Sequence, residues 1–526
     1  MKYLRRSQRF AWIVILPFIL SWSDGWANAP SLADRVIEHR LANGMTVLMV
    51  ERHQTPVVSI NLTFGVGGMN EQVGQTGLAH LYEHMAFKGT RTVGTKDYEQ
   101  EQAVLEELHR VGAELERYEG EAVSGRSGTD ASGAQLKSER EALQQRFKEL
   151  QDKAAEYVVG NEMALLYQRH GAVGLNASTG KDITRYIINL PANRLPLWAA
   201  LEADRMAHPV LREFYKERGV VMEERRLRTD DSPTGLLYET FTSTAFQAHP
   251  YGVPTIGWAS DIQSLTPEAA QEFFKTYYGP NNATVAIVGD INPKEVITLI
   301  EQTFGKIPAA PAPPPIVTRE PTQRGERRVE IEFEAEPSLA IGYHKPGLGH
   351  PDDFVFDVID SVLTEGTTSR LYSELVKEKR LAVSVMSDTN FPGVRAPNLF
   401  VIAATPRAPH TTAEVEAAIL EEVERLKTEP VSAKELEKVL HNLDADLVRS
   451  LRSNSGLASQ LSFYQTVAGN WRYIVQARDR IAAVTADDVQ RVAKQYLTRA
   501  NRTVGVLVKK PAERKLAAGR IGEVRP

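Results

Sequence analysis

Two histidines four residues apart with a glutamate between them, His80-Leu81-Tyr82-Glu83-His84, lie inside the apolar, helical-looking run GLAHLYEHMAFKGT at 77–90. On a helix that spacing puts both imidazoles on one face about one turn apart, where they can share one Zn²⁺. Glu83 stands beside them. A carboxylate in that place can take the proton of a water whose pKa the ion lowers toward about 7, and the resulting hydroxide attacks an amide carbonyl.

H-x-x-E-H is the inverted form of the H-E-x-x-H zinc-protease motif. Two histidines can also share a helix face by chance, so the chemistry needs a third ligand. The run FYKERGVVMEERRLRTDDSP at 214–233 offers Glu217, Glu223 and Glu224. Glu217 and Glu224 are two helical turns apart and face the same way, so one can bind the metal while the other orients a histidine. Read by itself, the same run is a solvated acidic-basic helix. The chain has no cysteine, which leaves His, Asp and Glu to hold any ion, and two imidazoles are poor ligands for calcium or magnesium.

These residues must be positioned by a scaffold. GMTVLMVERHQTPVVSINLTFGVGG at 44–68 reads as two strands joined by a charged turn, leading into the motif helix. Residues 264–289 and 483–508 align without a gap: Gln271 matches Gln490, Lys275 matches Lys494, Tyr277 matches Tyr496, Asn282 matches Asn501, and Thr284-Val285 matches Thr503-Val504. Each segment reads as a Thr-capped helix, a polar turn and a strand, so the chain is a duplication of one α+β unit. Between the copies, KIPAAPAPPPIVTREPTQRGERR at 306–328 is too rich in proline and charge for a core and reads as a semi-rigid linker. The expected organisation is two homologous two-layer α/β domains, 34–305 and 329–510, with a tail at 511–526.

Residues 97–158 differ from their surroundings. Val104, Leu105, Leu108, Val111 and Leu115 form one apolar strip, GEAVSGRSGTDASG follows, and Leu136, Leu143, Phe147, Leu150 and Ala154 form a second strip. This pattern predicts a helical hairpin insertion, either a solvated arm packed on itself or a docking surface for a partner. A self-packed pair can be replaced from Glu99 to Tyr157 by a short link without loss of fold or metal.

At 526 residues, 42% apolar and 25% charged, the chain is ordinary globular material for two or more domains. Residues 1–33 read as a secretory signal: Lys2, Arg5, Arg6 and Arg9 precede the apolar stretch Phe10 to Leu20, and small residues follow at Ala27-Asn28-Ala29 and Ser31-Leu32-Ala33. The apolar stretch is well short of the roughly 20 residues a spanning helix needs, so no stable membrane span is expected. Removal of the segment takes four positive charges and one negative charge, moving the net charge from −5 to −8. No basic tract points to nucleic acid. An exported chain without cysteine fits the bacterial periplasm.

With these stretches in view, the sequence resembles the pitrilysin/insulinase family of inverted-motif zinc metallopeptidases, in the branch similar to the mitochondrial processing peptidase. GLAHLYEHMAFKGT resembles the zinc helix, ERGVVMEE at 217–224 the segment ending in the third ligand, and GLNASTGKDITRYIINLP at 174–191 and HPYGVPTIG at 249–257 two further blocks. The resemblance implies one zinc per chain held by His80, His84 and Glu224, Glu83 as the catalytic base and Glu217 in support. It also implies a peptide or unfolded protein substrate that adds as a strand near Asn176, Ala177 and Ser178. His249 either touches substrate or is a satisfied structural histidine.

Two features depart from the family. His84 and Glu224 are 140 residues apart, and subtracting the 62 residues of the hairpin leaves a family-like 78. In ELVKEKRLAVSV at 374–385, Val376 and Val383 stand where active members resemble an Arg followed by a Tyr that contact the substrate carbonyl and oxyanion. Neither valine can donate a hydrogen bond. The resemblance therefore implies a heterodimer in which a homologous subunit without the zinc motif supplies Arg and Tyr. The expected function is a zinc endopeptidase subunit; the alternative is a non-catalytic peptide-binding or assembly subunit.

Overall fold

The computed structural model describes residues 32–123 and 131–510. The export-type segment apart from Leu32 and Ala33, residues 124–130 of the Gly/Ser-rich turn and the tail 511–526 lie outside the described residues. Among the described residues, eleven strands form two sheets. The first contains β1 (Ile37–Arg40), β2 (Thr46–Glu51), β3 (Val57–Phe64), β4 (Val173–Thr179), β5 (Thr184–Pro191) and β6 (Ala283–Gly289), in the order β1-β2-β6-β3-β5-β4. The second contains β7 (Arg327–Phe333), β8 (Ser338–Lys345), β9 (Ala382–Phe391), β10 (Asn398–Pro406) and β11 (Arg502–Lys509), in the order β7-β11-β8-β10-β9. β2 runs parallel to β6 and β7 parallel to β11, and every other pair inside the shared order is antiparallel. The two halves therefore share one topology.

The sequence repeat is visible in detail. Helix Pro267–Tyr277 leads to β6 as helix Ala486–Tyr496 leads to β11. Thr266 and Thr485 cap the helices by accepting from the amides of Ala269 and Asp488. In the turns, the Nδ2 atoms of Asn282 and Asn501 each donate to the carbonyls of Tyr277 and Tyr496 at 2.8 Å. The turn, and not the helix face, explains why this asparagine stands in both copies.

β6 is buried along its whole length. Its Val285 and Ile287 enter one core, with Leu81 and Tyr82 of the motif helix, while Ala286 and Val288 enter another. A continuously apolar strand is what a sheet covered on both faces demands. The second cover comes from far along the chain: Leu457, Ala458 and Leu461 of helix Asn454–Ala468 pack against Leu48, Val50 and Val288. The exchange is reciprocal. Helix Pro233–Ala245, from the first half, lays Phe241 on the second sheet, where a Cβ on Gly342 would come within 2.6 Å of the Phe241 ring. The proline-rich stretch thus divides the chain in sequence, while each half completes the other's core. No helix among the described residues is long and apolar enough to cross a membrane.

Helices Tyr98–Val123 and Ala131–Ala155 form the arm and pack together through Leu108, Val111 and Leu150. The arm is also tied to the rest of the first half by a buried ion pair. Glu101 is fully buried and paired with an equally buried Arg212, at 0% and 1% side-chain exposure. Replacing residues 99–157 would remove the charged partner of that guanidinium, which would keep the Lys88 and Thr90 carbonyls as acceptors.

Candidate metal centre

The motif helix, Leu78–Met85, follows Gly77, whose φ of 93° belongs to the left-handed region. Glu71 accepts from the amides of Gly77 and Ala79 at 2.9 and 2.8 Å, placing a carboxylate at the positive end of the helix. Leu78, Leu81, Tyr82 and Met85 recur at helical spacing and are buried. That stripe turns His80, Glu83 and His84 away from the core, toward helix Phe214–Arg225.

There the three expected ligands meet. Nε2 of His84 and Nε2 of His80 lie 3.3 and 3.7 Å from Oε2 of Glu224, and the three residues offer ligand atoms all within 4.8 Å of one another. A tetrahedral zinc with bonds of about 2.0–2.1 Å separates its ligand atoms by about 3.3 Å. Two imidazole nitrogens and a carboxylate oxygen at these separations fit that ion. Burial pushes His80 down to about 4, against the pull of Glu224, which keeps its ring in the neutral form that binds metal. Its buried Nδ1 has no hydrogen-bond partner among the described residues.

His84 is held differently. Its Nδ1 faces Oε2 of Glu217 at 3.4 Å, and that contact raises the affinity of the ring for a proton. Glu217 also pairs with Lys88 at 2.5 Å. Burial works to raise Glu217, but His84 and Lys88 outweigh it and hold the carboxyl below its ordinary value. The other oxygen of Glu224 pairs with Arg228 at 2.7 Å. Glu223 points elsewhere and pairs with Arg226 at the surface.

Glu83 sits beside the ligands, and burial lifts it above the usual carboxylate range, with Thr179 opposing. The Thr179 hydroxyl donates to its Oε2 at 2.6 Å. Sequence reasoning missed Thr179, although it directly follows Asn176, Ala177 and Ser178 in the quoted block; no spacing rule links residues 83 and 179. Thr179 ends β4, whose outer edge pairs with no other described strand. Asn176 and Ser178 are exposed on that strand and Ala177 is half-buried. Thr179→Val removes a bond that favours ionised Glu83, so its pKa rises. If Glu83 acts as a base, peptide hydrolysis should lose about tenfold in kcat with KM unchanged, and lose more at pH 6 than at pH 8. An equal loss at both pH values would show that Thr179 does not act through Glu83.

His249 is not among these groups. Its Nδ1 accepts from the Tyr251 amide at 3.2 Å, and the ring lies against Tyr251 and Phe246. Val376 packs against the second core, and Val383 is 54% exposed on β9, the edge of the second sheet. Among the described residues, the polar side-chain contacts of His80, Glu83, His84 and Glu224 with other residues run to Thr179, Glu217 and Arg228, all in the first half.

Residues 46–127 match the family described as Insulinase (Peptidase family M16), and residues 264–443 match the Peptidase M16 inactive domain. The chain is 29% identical over 466 residues to the zinc protease PqqE of Helicobacter pylori, covering 87% of this chain and 89% of that protein. It is 22% identical to the mitochondrial-processing peptidase subunit beta of Lentinula edodes, over 87% of this chain and 86% of the other. Among solved structures, a protease from Helicobacter pylori superposes with a TM-score of 0.74 at 29% identity, over 90% of this chain and 99% of that one. The first half of the periplasmic protease PqqL from Escherichia coli shares the fold at a TM-score of 0.64 and 18% identity, over 90% of this chain and 92% of that one. In the half matched as inactive, helix Pro351–Thr364 follows β8 as the motif helix follows β3, and it contains no histidine. With one half carrying the inverted motif and its third ligand and the other carrying the same fold without them, the chain belongs to the insulinase family, peptidase family M16.

Proposed function

We propose that this chain is the zinc-bearing catalytic subunit of an exported endopeptidase acting on peptides or unfolded segments. The convergence of His80, His84 and Glu224 beside Glu83 carries the reading. When bound, zinc supplies a Lewis acid that polarises the scissile carbonyl and acidifies water. The chain's own residues do the rest. His80, His84 and Glu224 would hold the ion, and Glu217, braced by Lys88, fixes the His84 ring. Glu83 removes a proton from the attacking water and delivers it to the leaving amine, while Thr179 steadies its carboxylate. The free edge of β4 can take an extended peptide as an added strand, beside Asn176 and Ser178. Export to a bacterial periplasm rests on the N-terminal pattern of basic, apolar and small residues.

A non-catalytic subunit would have no need to retain all four of His80, Glu83, His84 and Glu224, and all four are brought together. The two valines favour pairing with a homologous subunit, and a protein named as a subunit, the mitochondrial-processing peptidase beta chain, is among the relatives. The test is metal removal. Purified enzyme should contain about one zinc per chain, lose hydrolysis of a quenched peptide on dialysis against a chelator and recover it with Zn²⁺. Full hydrolysis by the stripped protein, or no zinc uptake by the intact chain, would overturn the proposal.

A further inference from the structure

The arm does not merely lie on the surface. Glu101, Leu105, Leu108, Gly112 and Glu116 recur at helical spacing on its first helix, so they share one face, and that face follows residues 210–218. At its root, Arg212 donates from Nε and Nη2 to the two carboxylate oxygens of Glu101, at 2.5 and 2.7 Å. The same guanidinium donates to the carbonyls of Lys88 and Thr90 at 2.7 and 3.0 Å, in the loop that leaves the motif helix. Further along, Leu105 and Leu108 share a cluster with Val210 and Tyr215. Gly112 is a glycine of necessity, because a Cβ there would overlap the Tyr215 hydroxyl. Glu116 then meets Arg218 at 2.6 Å, and Arg218 also donates to the Leu265 carbonyl at 2.7 Å. Tyr215 and Arg218 flank Glu217 on the helix that ends with Glu224 and Arg225.

We propose that the arm positions the metal site: its first helix splints the helix bearing Glu217 and Glu224 and, through Arg212, ties it to the exit of the helix bearing His80 and His84. Glu101, Gly112 and Glu116 are thus positioning residues for a centre they do not touch. This rests on the zinc reading above. Groups that orient metal ligands typically contribute ten- to a hundredfold in metal affinity, and the arm extends that support by one layer.

The experiment measures zinc affinity of the full chain by competition with a chromophoric chelator, together with the visible absorption of the Co²⁺ form and the melting temperature of the metal-free protein. Gly112→Ala and Glu101→Gln should weaken zinc binding about tenfold or more and alter the cobalt spectrum, with a smaller loss for Glu116→Gln. Glu107→Gln breaks the exposed Glu107–Arg146 pair inside the arm, 2.7 Å apart, and should change neither readout. If Glu101→Gln does not fold, the other two variants decide. Zinc affinity within twofold of wild type and an unchanged cobalt spectrum in Gly112→Ala and Glu116→Gln would overturn the proposal, whatever happens to the melting temperature. A wild-type chain that binds no zinc, or whose affinity is untouched by His84→Ala, would instead overturn the metal-site reading itself.

Discussion

Replacing Glu83 with glutamine leaves zinc bound and lowers peptide hydrolysis by about a hundred- to ten-thousandfold. The substitution keeps shape and the hydrogen bond from Thr179, since the amide oxygen can still accept it. It removes the capacity to take a proton. With His80, His84 and Glu224 as the proposed ligands, metal content should be unaffected. Metal analysis and initial rates on the same preparation check both halves of the statement. Loss of zinc with retained hydrolysis would reverse the roles of Glu83 and its neighbours.

Mixing the chain with a homologous subunit that lacks H-x-x-E-H and carries the Arg and Tyr should raise hydrolysis about a hundred- to a thousandfold over the chain alone. Loss of one donor to a developing oxyanion typically costs that much, and Val376 and Val383 offer none. Rates for this chain, the partner and the mixture decide the matter. Full activity from this chain alone, unchanged by the partner, would refute the division of labour and turn attention to Arg228, the cation already seated on Glu224.

The sequence exposes those features whose chemistry is local. Two histidines four apart must share a face, and Asn282 and Asn501 recur because each closes a turn within a few residues of itself. Glu217 and Glu224 were legible as a pair for the same reason. Contacts across the chain were not. The Glu101–Arg212 pair joins residues 111 positions apart, and a glutamate in a charged helix looks solvated until the fold encloses it. Thr179 reaches Glu83 across 96 positions. Nothing local to helices Pro233–Ala245 and Asn454–Ala468 says that each will cover the sheet of the other half.

The exchanged helices also set an order of events in folding. Arg52, just beyond β2, donates to the carbonyl of Arg452, 400 positions later, and Leu457 and Leu461 close the core over β2 and β6. The strands of the first sheet all lie within residues 37–289, but the cover of one of its faces comes only from residues 454–468. Loop closure over such a distance is slow, and contact order of this kind retards folding. Until those helices arrive, the face of the first sheet opposite the motif helix, with Leu48, Val50 and Val288, lacks its apolar cover.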